Sequence, residues 1–70
     1  HSAAQYSLGM MYYEGVGVAI EYDTALPLIL KAAEQGESEA QFTAGIAYFE
    51  GRGVEKNTDT GISWFEKAGK

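Results

Sequence analysis

Leu8-Gly9-Met10-Met11-Tyr12-Tyr13-Glu14-Gly15-Val16-Gly17-Val18 returns as Ala44-Gly45-Ile46-Ala47-Tyr48-Phe49-Glu50-Gly51-Arg52-Gly53-Val54, every position shifted by 36 residues. The shift holds outside this stretch. Ala4, Gln5, Asp23, Thr24, Lys31 and Ala32 recur as Ala40, Gln41, Asp59, Thr60, Lys67 and Ala68. Other positions keep size or chemistry, as in Tyr6 to Phe42, Met10 to Ile46, Tyr13 to Phe49 and Leu26 to Ile62. A fixed period of this length marks a solenoid, in which one supersecondary unit is copied and stacked. The chain therefore reads as one domain of two units, 4–39 and 40–70.

Each unit reads as a pair of helices. Ala4, Leu8, Met11 and Tyr12 share one face at the 3.6-residue period, which makes that face the expected core side of the first helix. Gly15 stops the helix, because glycine takes the left-handed backbone that closes a last turn. Val16 to Ile20 is a connector, whose valine is expected to plug the gap between the helices. In the second helix Ala25, Leu28 or Ile29, Ala32 and Ala33 repeat at helical spacing, with Asp23 in the first turn, where a carboxylate meets the positive end of the helix dipole. Pro27 lacks an N–H and is tolerated only near a helix start, so this helix either begins late, near Asp23, or kinks. Gly36 ends it. Asn57 is a good cap for the fourth helix. The spacing predicts helices over 3–14, 23–35, 38–50 and 58–68 and no strand: an all-α fold, an α-solenoid of two stacked helix-turn-helix repeats.

Ten acidic against five basic residues give a net charge of −5. Nucleic-acid binding needs a basic stripe to neutralise phosphates, and anionic membrane needs the same, so neither is an expected partner. No apolar run approaches the ~18 residues of a membrane span. There is no cysteine, hence no disulfide and no thiol nucleophile, and cytoplasm and periplasm both remain open. His1 is a lone terminal histidine without a second ligand nearby, so no metal site is expected. The Gly-x-Gly connectors lack the third glycine of a dinucleotide site and the Gly-Lys-Ser/Thr of a phosphate loop, and they read as backbone turns. No cofactor and no enzymatic activity are expected.

The pattern Ala-x-Tyr-x-Leu-Gly-x-x-Tyr-x-x-Gly-x-Gly-Val followed by Ala-x-x-(Trp)-x-x-Lys-Ala-Ala-x-x-Gly resembles the Sel-1-like repeat, a relative of the tetratricopeptide repeat. Ala4, Tyr6, Leu8, Gly9, Tyr12, Gly15, Gly17, Val18, Ala25, Lys31, Ala32, Ala33 and Gly36 carry it in the first unit. Ala40, Gly45, Tyr48, Gly51, Gly53, Val54, Trp64, Lys67 and Ala68 carry it in the second. Leu28 stands where the family has tryptophan, Ala44 replaces its leucine, Gly61 the alanine that opens the second part and Gly69 the second alanine of Lys-Ala-Ala. The resemblance implies a tetratricopeptide-like right-handed superhelix, a protein-interaction adaptor and a bacterial cytoplasmic or periplasmic setting. In related repeats the inner helices line a concave groove.

Tyr6, Met10 and Tyr13 form a second apolar stripe on the first helix, continued by Phe42, Ile46 and Phe49 on the third. One hairpin partner cannot cover both stripes. The second stripe either lines the groove or packs in the stack. With Glu14 and Glu50 beside them, Tyr6, Met10, Tyr13, Phe42, Ile46 and Phe49 are the candidate partner contacts. Acidic groups among aromatics favour a basic peptide or protein. Purely structural spacing is the alternative. Two units without polar caps also leave apolar ends, which predicts further repeats or self-association.

Overall fold

Left-handed glycines and one asparagine divide this chain into helices. The computed structural model describes residues 2–69; His1 and Lys70 lie outside them. The helices are α1 (Ser2–Glu14), α2 (Tyr22–Glu34), α3 (Ser38–Glu50) and α4 (Thr58–Ala68), and the described residues contain no strand. α1 and α2 form repeat one; α3 and α4 form repeat two.

The two connectors close in the same way. Gly15 takes φ 72° and Gly51 φ 74°. The Val16 N–H donates to the Met11 carbonyl at 3.0 Å, and the Arg52 N–H to the Ala47 carbonyl at 2.8 Å. Each connector then folds back: Glu21 N–H reaches the Tyr12 carbonyl at 2.9 Å, and Asn57 N–H the Tyr48 carbonyl at 2.8 Å. The turn carbonyls that a helix end leaves unpaired are satisfied within each repeat. Asn57 Oδ1 accepts from the Thr60 N–H at 3.0 Å and caps α4. α2 starts at Tyr22 and runs on through Pro27, so Pro27 neither delays nor breaks it. Gln35 and Gly36 close α2 onto the Ala32 and Ala33 carbonyls.

α1 packs on α2, α2 on α3, and α3 on α4, in a slab of 31 × 25 × 13 Å. The core lies at the α2–α3 seam: Ala25, Leu26, Ile29, Ala32 and Ala33 face Ala40, Ala44 and Ala47, with Tyr13 of α1 beside them. Two expectations need correction here. Ala4, Leu8 and Met11 are exposed, and Tyr12 is only half-buried. Their face is the one by which α3 seats on repeat one, through Ala40, Ala44 and Ala47. On α1 that face is open at Ala4, Leu8 and Met11, and only Tyr12 packs against the core. The connector valines also differ. Val16 and Val18 are exposed, whereas Val54 packs against the core, because only the second connector lies over a neighbouring repeat.

Within each hairpin the helices cross at glycine. A Cβ on Gly9 would stand 2.8 Å from Ile29 Cγ1, and one on Gly45 would stand 2.6 Å from the Phe65 ring. The repeat keeps glycine there because a side chain would push the helices apart.

Candidate functional site: the repeat seam and the open flank

Two surfaces emerge from this packing, and they share a residue pattern. The first is the seam between repeats. Arg52, in the second connector, reaches back to repeat one. Its guanidinium carbon lies 5.6 Å from the ring centre of Tyr13 and 5.6 Å from that of Tyr22. Those rings meet edge-on at 5.2 Å. Arg52 Nη1 donates to the Tyr13 hydroxyl at 3.3 Å, and Nη2 meets Glu50 Oε1 at 2.9 Å. A guanidinium over two ring faces is attracted by their quadrupoles while its N–H groups stay hydrogen-bonded. The hydrogen bond to Tyr13 raises the guanidinium further above its ordinary value, with Glu50 adding to the effect. Further along the seam Tyr6 and Thr43 share a hydroxyl–hydroxyl hydrogen bond of 3.4 Å, and Gln41 Nε2 donates to the Ala33 carbonyl at 3.1 Å. Among the described residues no buried side-chain polar atom is left without a partner.

The second surface is the flank of repeat two that faces away from repeat one. Phe65 sits between Phe42, at 5.4 Å, and Phe49, at 6.3 Å. An open cleft of about 480 Å³ adjoins it and reaches the seam, lined by Tyr6 of repeat one together with Glu39, Phe42, Thr43, Phe65 and Gly69 of repeat two. Phe42, Phe49 and Ile62 are exposed there. Trp64 is not part of this surface. It packs against the core under Lys67, whose ammonium lies 4.7 Å from its ring centre.

The eight candidate contacts therefore separate. Tyr6 and Met10 are half-buried against the core and Tyr13 is buried, all on the seam. Phe42 and Phe49 are exposed and Ile46 half-buried, on the open side of repeat two. Glu14 and Glu50 are exposed, and Glu50 is held by Arg52. The structure brings Phe42 and Phe49 together around Phe65 and keeps Tyr13 apart from them. Arg52, Tyr22 and Phe65 were not among the candidates. The signal for Arg52 was visible: Val16 to Arg52 is the single change in the otherwise constant Glu-Gly-x-Gly-Val stretch. No group of three or more His, Cys, Asp or Glu among the described residues could hold a metal ion, and no described helix is long and apolar enough to cross a membrane.

The Sel1 repeat model matches residues 2–37 and again 38–70. The chain belongs to the Sel1 repeat family. Two solved structures superpose closely on this Sel1 repeat pair. One is a Sel1 repeat protein from Oxalobacter formigenes, 41% identical, with a TM-score of 0.92 over 97% of this chain. The other is c5321, a protective antigen of uropathogenic Escherichia coli strains with an SLR fold, 37% identical, with a TM-score of 0.94 over 97% of this chain. The present chain spans 28% of the first and 15% of the second. No curated protein matches it. Sel1 repeat proteins are in general non-catalytic, protein-interaction scaffolds, and the all-α solenoid architecture is shared.

Proposed function

We propose that this Sel1 repeat pair is a docking scaffold whose partner protein meets the open flank of repeat two. The observation that carries this is the set of exposed rings, Phe42 and Phe49, flanking Phe65 beside a cleft. Aromatic side chains at such a site supply large contact area at small entropic cost and make frequent hot spots. Phe42, Ile46, Phe49 and Glu50 are the contacts from repeat two. Tyr6 lines the cleft, and Glu14 adds an exposed carboxylate at the end of α1. Met10 and Tyr13 support the seam from within. Carboxylates at Glu14, Glu39 and Glu50, on a chain of net charge −5, favour apolar anchors flanked by Lys or Arg. The bacterial sources of both solved relatives support a bacterial setting, cytoplasm or periplasm.

Selection of peptides from a random display library, followed by calorimetric titration, tests this reading. Selected peptides are expected to carry aromatic or aliphatic anchors beside basic residues. Phe42→Ala and Phe49→Ala should each weaken binding about tenfold, a loss of ~1.4 kcal/mol, while leaving helicity intact. Peptides that bind both variants as tightly as the native chain would sink the proposal. A second reading, a stacking or oligomerisation unit, is favoured by a separate observation: in repeat one the same stripe, Tyr6, Met10 and Tyr13, is taken up by packing on repeat two.

A further inference from the structure

The connectors of the two repeats share a backbone and differ in charge. From the last residue of the first helix to the residue before the second, repeat one carries Glu14 and Glu21 with no lysine or arginine. Repeat two carries Glu50 and Glu55 with Arg52 and Lys56. Glu14 and Glu50 hold one position, the last residue of α1 and of α3, and neither helix has a basic residue in its last turn. A carboxylate there faces the negative end of the helix dipole. In repeat two Arg52 answers it, Nη2 meeting Glu50 Oε1 at 2.9 Å. In repeat one the counterpart of Arg52 is Val16, and Glu14 makes no ion pair among the described residues. From this asymmetry we infer that Arg52 decides where the docking site reads charge. It cancels Glu50 and leaves Glu14 to meet a lysine or arginine of the partner. The inference rests on the reading of the flank as a docking surface for a partner with basic residues, and it names the carboxylate that recognises them.

Arg52 has this effect because it does not swing freely. An exposed ion pair ordinarily contributes little, since two long side chains must be held in one geometry. Here the rings of Tyr13 and Tyr22, each 5.6 Å from the guanidinium carbon, and the Tyr13 hydroxyl at 3.3 Å hold the arginine independently of Glu50. The pair stays within reach of a partner, its side chains 40% and 48% exposed, but a cation that approaches it meets no net charge. Glu39, which lines the cleft, lies in the first turn of α3, where the positive end of the dipole offsets it. Of these three carboxylates, Glu14 alone adds an unpaired charge to the negative end of a helix. Glu14 and Glu50 share an edge of the molecule. Tyr6 meets Thr43 and Tyr13 meets Arg52, so α1 and α3 run in the same direction and end side by side. Neither carboxylate is open for want of a neighbouring repeat: Glu14 has repeat two behind it, Glu50 has repeat one in front of it, and both are exposed.

Calorimetric titration with one selected peptide that carries a lysine beside its apolar anchor, and with the same peptide carrying norleucine there, tests the inference. The readout is the lysine preference, the ratio of the two affinities, which a general loss of binding does not move. Circular dichroism checks that each variant keeps its helicity. The native chain should prefer lysine about threefold, the scale of an exposed charge pair. Glu14→Gln should remove most of that preference. Arg52→Met should raise it, because Glu50 is then unopposed. Removing the pair whole, Arg52→Met with Glu50→Gln, should leave the preference as it is, whatever it costs the two peptides in common. If the Arg52 variants lose helicity, Val16→Arg on the exposed connector sets the same cation two residues from Glu14 and should lower the preference. A lysine preference unchanged by Glu14→Gln, or abolished when the Glu50–Arg52 pair is removed whole, overturns the inference and leaves the docking surface standing. Equal affinity of the native chain for the two peptides overturns the inference and the basic partner together.

Discussion

Gly17 and Gly53 have nearly the same φ, 79° and 80°, in different surroundings. A residue with a Cβ in that conformation costs roughly 1–2 kcal/mol. Gly17→Ala should therefore destabilise by about that amount and no more. Gly53→Ala should cost distinctly more, because its Cβ would also strike the Tyr22 carbonyl oxygen at 2.6 Å. Equal losses in denaturant melts would mean that the seam relaxes around the methyl group. Arg52→Met should lower the melting temperature, and so should Tyr13→Phe. A double-mutant cycle should show the two losses to be non-additive, since they break one hydrogen bond; additive losses would remove the hydrogen bond from the account. The raised guanidinium value contributes stability that is fully present below its unfolded value and is lost only as pH rises through the folded one. The hydrogen bond from Arg52 to Tyr13 should therefore keep its charged donor at every pH short of strongly alkaline. At this scale the glycines were legible from sequence alone, because a positive φ is a local demand. The role of Arg52 was not, because its rings belong to the other repeat.

Pro27 sits in the sixth position of α2, exposed, in a helix that continues past it. It brings no N–H to the Asp23 carbonyl. Proline in a helix interior costs ~3 kcal/mol relative to alanine, offset by its stiffening of the unfolded chain, about 0.4–1 kcal/mol. Pro27→Ala should raise the thermal midpoint, and an unchanged or lower midpoint would show that α2 bends to suit the proline. Gly61 points the other way. Helix propensity favours alanine by roughly 1 kcal/mol, yet a Cβ would lie 2.8 Å from the Gly45 carbonyl oxygen. Gly61→Ala should thus destabilise, and a stabilised variant would mean that α3 and α4 can separate cheaply. The positions of all four helices were legible from the 36-residue period and its glycines. Which face of α1 is inside was not. Both its stripes are apolar, and a helix in a stack has two partners, so periodicity alone cannot say which stripe a given end leaves bare. The candidate contacts divided for the same reason: Tyr13 and Phe49 are one position of the repeat, covered in one unit and open in the other.

As a whole the molecule is a short one-dimensional array, in which stability is the sum of repeat terms and interface terms. A tandem fusion of two copies gains an interface over Ile62 and Phe49, which are already half-covered, for roughly 1 kcal/mol each. It should melt at least about 5 °C above the single chain; coincident melting curves would show that the flanks do not stack. The contact order α1–α2–α3–α4 has one more consequence. Among the described residues α2 and α3 each pack broadly on two helices, whereas α1 and α4 each pack broadly on one. The largest fully buried side chains, Leu26 and Ile29, both belong to α2. In deuterated water, the amides of α1 and α4 should exchange through local opening, at rates set by fraying. Those around Ile29 in α2 and Ala44 in α3 should wait for the entire chain to unfold, so that the two central helices report the global free energy.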